Sequence, residues 1–150
     1  MVSDTEFWRI LYFKKDLRKM YFREQYPCIK DNGAQIVLHT CGLYDDRFDL
    51  VLKESGDAWH ISDTSTKKVK EQYGDKVSLM GSIPCVPVLM EGTEQEVYDF
   101  CYKECMDAAQ DGRFILSGDC DVPPGTSDEN MKAAVRAAKD AEKILFGKTK

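Results

Sequence analysis

Two short stretches carry most of the chemistry legible in this chain. His39-Thr40-Cys41-Gly42 ends one apolar run, and Gly118-Asp119-Cys120-Asp121 ends another. An imidazole and two thiols are borderline-to-soft donors, the set that zinc prefers. Three protein ligands with a fourth position open is the pattern of a catalytic zinc site rather than a structural one. Cys41 and Cys120 stand 79 positions apart, so no local knuckle can hold the ion and the fold must assemble the site. His39 and Cys41, two residues apart, project to the same side of a regular strand. Zinc bound there would lower the pKa of a substrate thiol and keep a nucleophile available at neutral pH. A core histidine beside two buried cysteines fits the same pattern, because His-x-Cys alone is a weak signal.

The other candidates are weighed the same way. Asp63 follows a second apolar run and could orient a ligand or act as a general base, although helix N-capping explains an Asp there as well. Cys85, in Gly81-Ser82-Ile83-Pro84-Cys85, is either a spare metal ligand or an inert loop thiol. His60 lies within an apolar run and reads as a packing residue. Cys101 and Cys105 fall on the apolar face of an amphipathic helix, where cysteine behaves as a small hydrophobe. Cys28, beside Pro27, carries no usable signal. No Gly-x-Gly-x-x-Gly, phosphate-loop or Gly-x-Ser-x-Gly pattern occurs, so nucleotide binding and serine-hydrolase chemistry have no support.

The elements that would position these residues alternate. Ala34–His39, Ala58–Ser62, Val77–Ser82 and Arg113–Ser117 are short apolar runs bounded by turn residues, as expected of parallel strands covered on both faces. Helical patterns separate them. Phe48, Val51, Leu52 and Ser55 share one face before Gly56, and a shorter helix from about Ser65 to Tyr73 stops at Gly74. Thr93-Glu94-Gln95-Glu96 and Thr126-Ser127-Asp128-Glu129 read as capping boxes. The second would open a helix with Met131, Ala134, Val135, Ala138 and Leu145 on its apolar stripe. The fold class is α/β: four parallel strand–helix units, half of a TIM-type (β/α)8 barrel, preceded by one or two helices. His39, Cys41, Asp63 and Cys120 then lie at the carboxyl ends of strands, on the rim where ligands bind.

Residues 1–150 read as a single domain without linker or repeat. Phe7–Phe13 is apolar almost all round and needs covering, and Asp16–Asp31 reads as a helix that Pro27 kinks or restarts. A half barrel leaves two strand edges unpaired, so a homo-oligomer or a complex with a complementary half-barrel is expected. The net charge of −5 gives no basic footprint for nucleic acid, and no apolar run approaches the roughly 20 residues that span a bilayer. The acidic start, Met1-Val2-Ser3-Asp4-Thr5-Glu6, lacks the basic opening of a signal peptide, which points to the cytoplasm and to six free thiols.

Several ordered motifs combine into a resemblance running from about Tyr21 to Leu145: Ile36-Val37-Leu38-His39-Thr40-Cys41-Gly42, Gly81-Ser82-Ile83, Glu91-Gly92-Thr93, Phe114-Ile115-Leu116-Ser117-Gly118, Cys120-Asp121-Val122-Pro123-Pro124-Gly125-Thr126 and Glu129-Asn130. The chain resembles the carboxyl-terminal half of the uroporphyrinogen decarboxylase superfamily. It is most similar to the branch of methylcobalamin:coenzyme M methyltransferases and related corrinoid-dependent enzymes. The resemblance implies zinc (Zn2+) held by His39, Cys41 and Cys120, and a methyl-corrinoid carried by a partner protein, since no Asp-x-His-x-x-Gly motif occurs in the chain. It also implies a small-molecule methyl acceptor, whose thiolate would attack the methyl group in line. Asp119 departs from the family pattern, which more often has a small residue there, and its charge could alter the metal environment. The family barrel is about twice as long, and the half preceding the first helices has no counterpart here. The expected function is therefore zinc-dependent corrinoid methyl transfer, or the zinc-bearing half of such an enzyme. The alternatives are a non-catalytic zinc-binding scaffold and a decarboxylase-like protein without methyl transfer.

Overall fold

The computed structural model describes residues 26–46, 48–51 and 56–147. Four strands form one parallel sheet in sequential order: β1 (Val37–Thr40), β2 (Ala58–Ile61), β3 (Ser78–Ile83) and β4 (Phe114–Gly118). Between them run α1 (Phe48–Val51), α2 (Thr66–Tyr73), a π-helical turn (Cys85–Met90) and α3 (Glu94–Ala108), and α4 (Asp128–Phe146) follows β4. This is the alternation expected of half a TIM-type barrel. The apolar segment Phe7–Phe13, most of Asp16–Asp31, and the Leu52 and Ser55 end of the first helix face lie outside the described residues. Helix 26–31 carries Pro27 and stops before Gly33, whose φ of +78° needs glycine.

The register decides what each face of the sheet does. Neighbouring parallel strands place partners on the same side, so His39 lines up with His60, His60 with Met80, and Met80 with Ile115. That side is open: Val37 is 51% and Ile115 50% exposed. Trp59, Ile61 and Leu79 alternate to the opposite side, where Tyr44, Phe48, Val69 and Val77 close over them. Coverage of both faces, expected from the apolar runs, is therefore found on one face only among the described residues. Strand–helix units lay their helices on one side of the sheet, and none of the described residues covers the other.

A second cluster joins Ile83 and Leu89 to Val97 and Cys101 of α3 and to Ala133, Ala134 and Ala137 of α4. The two helices meet closely because alanines form the contact. The larger residues expected on that stripe point elsewhere. Met131 is 40% and Val135 53% exposed, and with Ala138, Leu145, Leu116 and Val122 they line an apolar groove of about 590 Å³ beside β4. Buried Asn130 is instead the anchor of α4, donating from Nδ2 to the carbonyls of Leu89 (2.9 Å) and Gly92 (2.8 Å).

Helix starts follow side-chain capping, which contributes about 1 kcal/mol each. Thr93 and Glu96 form the expected capping box of α3. The cap of α4 is Ser127, one residue later than expected, because the Thr126 hydroxyl donates to the Pro123 carbonyl (2.9 Å).

Candidate metal centre

The open face and the strand ends meet at the rim. His39 occupies β1, Cys41 follows one residue beyond that strand, and Gly42 turns the chain away at φ +97°. Cys120 follows β4 by two residues. The ligand atoms of His39, Cys41 and Cys120 all lie within 4.8 Å of one another, and all three residues are exposed. Bonds of about 2.0–2.3 Å at tetrahedral angles put the donor atoms of a zinc site roughly 3.5–3.8 Å apart, so small side-chain adjustments close the gap. The donor set and spacing thus fit a thiophilic divalent ion, with room on the open face for a further ligand.

The surroundings make the Cys41 thiol hard to ionise on its own. Partial loss of solvent raises the Cys41 pKa, and the adjacent Cys120 thiol and the Asp63 carboxylate push it the same way, while the Ser62 hydroxyl opposes them. Two thiolates cannot sit side by side without a cation between them, and an ion in that position reverses the penalty.

Asp63 does not cap α2. Ser65 does, accepting from the Lys68 amide, and Asp63 takes a left-handed conformation (φ 51°) two residues earlier. Its Oδ2 accepts from the Ser62 hydroxyl (2.9 Å), and Ser62 Oγ in turn accepts from the Gly42 amide (3.3 Å). Asp63 therefore faces the turn that carries Cys41, and reaches it through Ser62.

The loop bearing Cys120 is tied down by contacts from three directions. The Asp119 amide donates to the Ile83 carbonyl (2.9 Å), and Asp119 Oδ1 accepts from the Cys85 amide (3.1 Å) at the start of the π-helical turn. The Cys85 thiol donates to the Cys120 carbonyl (3.4 Å). His60 Nε2 lies 2.7 Å from the Gly118 carbonyl. Gly118 is required there, because a Cβ would fall 2.6 Å from Cys85 Sγ and 3.1 Å from the Cys120 carbonyl.

These contacts bear on three sequence readings. Cys85 is neither a ligand nor an idle loop thiol: it is buried, its pKa is raised chiefly by that burial, and it clamps the Cys120 loop. Asp119 spends its carboxylate on a backbone amide. His60 is half-buried on the open face, its ring 4.4 Å from that of His39, and works as a hydrogen-bonding residue rather than core packing. Cys101 and Cys105 lie in the helical layer as expected, 0% and 5% exposed.

No helix among the described residues is long and apolar enough to cross a membrane. Comparison with known proteins gives three concordant results. A methylated-thiol–coenzyme M methyltransferase from Methanosarcina mazei is 31% identical over 111 residues, covering 74% of this chain and 29% of that protein. A solved methyltransferase structure from Methanosarcina mazei superposes with a TM-score of 0.65 at 23% identity, over 71% of this chain and 31% of that one. The chain thus spans less than a third of the length of either relative. The model of the family Uroporphyrinogen decarboxylase (URO-D) matches residues 12–141, and the chain belongs to that family.

Proposed function

We propose that the chain is the metal-bearing part of a zinc-dependent methyltransferase. The methyl donor would be a methyl-corrinoid on a partner protein and the acceptor a small thiol. The observation that carries this reading is the convergence of His39, Cys41 and Cys120 to within 4.8 Å at the open rim of a parallel sheet. The two methyltransferase relatives support the reaction class. Zinc held by these residues supplies a Lewis acid that lowers the pKa of an acceptor thiol at neutral pH.

The protein's own groups have separate tasks. His39 and Cys41 present donors from one strand end, and Cys120 presents its donor from the other edge of the sheet. Asp63 fixes the Gly42 turn through Ser62, which orients Cys41. The open face beside His39 and Ile115 gives the acceptor and the donor protein access to the rim. A complementary strand–helix half, or a second copy of residues 1–150, would form the opposite wall. The reducing cytoplasm would keep the rim thiols available.

A second reading keeps the same exposed centre of His39, Cys41 and Cys120 in a zinc-holding scaffold without methyl transfer. Metal analysis of the purified chain tests the shared part: about one zinc per chain is expected. Cys41→Ala and Cys120→Ala should each lose most of it, while Cys101→Ala should keep it. Equal metal content in all three variants would sink the assignment. Adding a methyl-corrinoid protein, a thiol acceptor and the complementary half separates the two readings, since only the first expects methylated thiol.

A further inference from the structure

His60 lies in no ligand set, yet it touches both halves of the centre. It is the direct register partner of His39, so the two side chains leave neighbouring strands on the same face. Their ring centroids are 4.4 Å apart with planes tilted by 40°. On its other side, His60 Nε2 is 2.7 Å from the carbonyl of Gly118, 58 residues away on β4 and two residues before Cys120. A carbonyl can only accept, so this nitrogen must carry the proton and the tautomer is fixed by the contact. The bond crosses the open face from β2, past β3, to the end of β4.

We infer that His60 is a positioning residue for the metal centre. It holds the His39 ring by packing and the Cys120 loop by a hydrogen bond, so donors from opposite edges of the sheet are set at one spacing. The need for such a tie follows from the geometry. His39 and Cys41 belong to the β1 edge and Cys120 to the β4 edge, and the face between them is open, so packing alone cannot fix their separation. The ties from Asp119 and Cys85 anchor the Cys120 loop to β3 and the π-helical turn. Neither of those ties reaches the β1 side, which His60 contacts through the His39 ring.

The inference rests on the metal-centre reading, and the test keeps the two apart. Zinc affinity would be measured by chelator competition for the full chain, for His60→Leu, which fills the space without a donor, and for His60→Gln, which restores one. The cobalt(II)-substituted forms would be compared by their thiolate charge-transfer and ligand-field bands, which report donor geometry. His60→Leu should weaken zinc binding about 10- to 100-fold, the usual effect of removing a group that orients a ligand. It should also alter the ligand-field bands, and His60→Gln should recover most of both. A core truncation, Val97→Ala, controls for general destabilisation and should leave the cobalt spectrum unchanged. Wild-type binding with unaltered affinity and spectrum in His60→Leu would overturn the positioning role and leave the metal centre standing. Absence of binding by the wild-type chain would overturn both. Should His60→Leu fail to fold, His60→Ser, too short to reach Gly118, takes its place under the same criteria.

Discussion

The rim and the helical layer hold the same side chain in opposite surroundings. Cys101 and Cys105 are buried on α3, Cys101 against the alanines of α4, and burial pushes their thiols up to about 12 and about 11, with nearby Glu104 adding to both. Cys41 and Cys120 sit exposed at strand ends, close to each other and to an imidazole. A thiolate in the helical layer would have neither water nor a cation, so those cysteines act as small hydrophobes. At the rim each thiol is reachable, and partial burial together with the neighbouring Cys120 thiol makes Cys41 harder to ionise until a positive ion joins them. The difference teaches that cysteine content says little about function until exposure and mutual distance are known.

Thiol titration should break the comparison most sharply. Cys28, Cys41 and Cys120 are exposed, while Cys85, Cys101 and Cys105 are buried. In the metal-loaded native chain Cys28 alone should react quickly at neutral pH, because thiolates bound to zinc are shielded. Chelation should raise the rapid count to three, and denaturation should release the rest. An unchanged rapid count on chelation would mean that Cys41 and Cys120 hold no metal.

Substitution in the helical layer should sharpen the comparison from the other side. Cys101→Ser puts a polar hydroxyl at a fully buried position among apolar side chains and should cost about 1–3 kcal/mol. Cys101→Ala removes only a sulfur atom and should cost less. Chemical denaturation would show the order, and zinc content should be unaffected in both. A larger loss for Ala than for Ser would mean that the site accommodates polarity, and the hydrophobic account of this layer would fail.

The sequence shows some of this arrangement clearly and hides the rest for physical reasons. The four strands lie within a few residues of the apolar runs that foretold them, because burial of alternate Val, Ile and Leu is encoded locally. Thr93 and Glu96 announced α3 because a capping box is a four-residue device. The cap of α4 was one residue off since Thr126 turns back to Pro123, a choice set by the turn that Pro123 and Pro124 impose. His39, Cys41 and Cys120 were legible as donor types at strand ends, and their convergence follows from parallel topology. What stayed hidden is non-local. Asp119 and Cys85 are 34 residues apart, His60 and Gly118 are 58 apart, and neither pairing leaves a periodic trace. The groove beside β4 was also hidden. Apolar residues on a helix announce an apolar face, but not whether that face is covered.

The smallest expected effect concerns Glu104, which lies between the two buried cysteines in α3. Its Oε2 is buried without a hydrogen-bond partner among the described residues. Burial raises its pKa above the ordinary carboxylate value, with Thr66 and Lys103 offsetting part of that and Asp107 adding to it. A raised folded-state pKa means that the folded chain holds this proton more tightly than the unfolded chain. The associated stability is therefore fully present below the unfolded value near 4.5 and is lost as pH rises through the higher folded value. Glu104→Gln keeps the shape and removes the charge, so it should raise the melting temperature at pH 7 by a few degrees. The gain should shrink towards pH 4, where the wild-type carboxyl is already protonated. The difference between variant and wild type cancels the other carboxylates, which titrate alike in both. A melting difference that stayed constant from pH 4 to pH 7 would show that Glu104 is ionised in the fold as readily as in water. The helical layer would then tolerate charge, and its contrast with the rim would rest on the thiols alone.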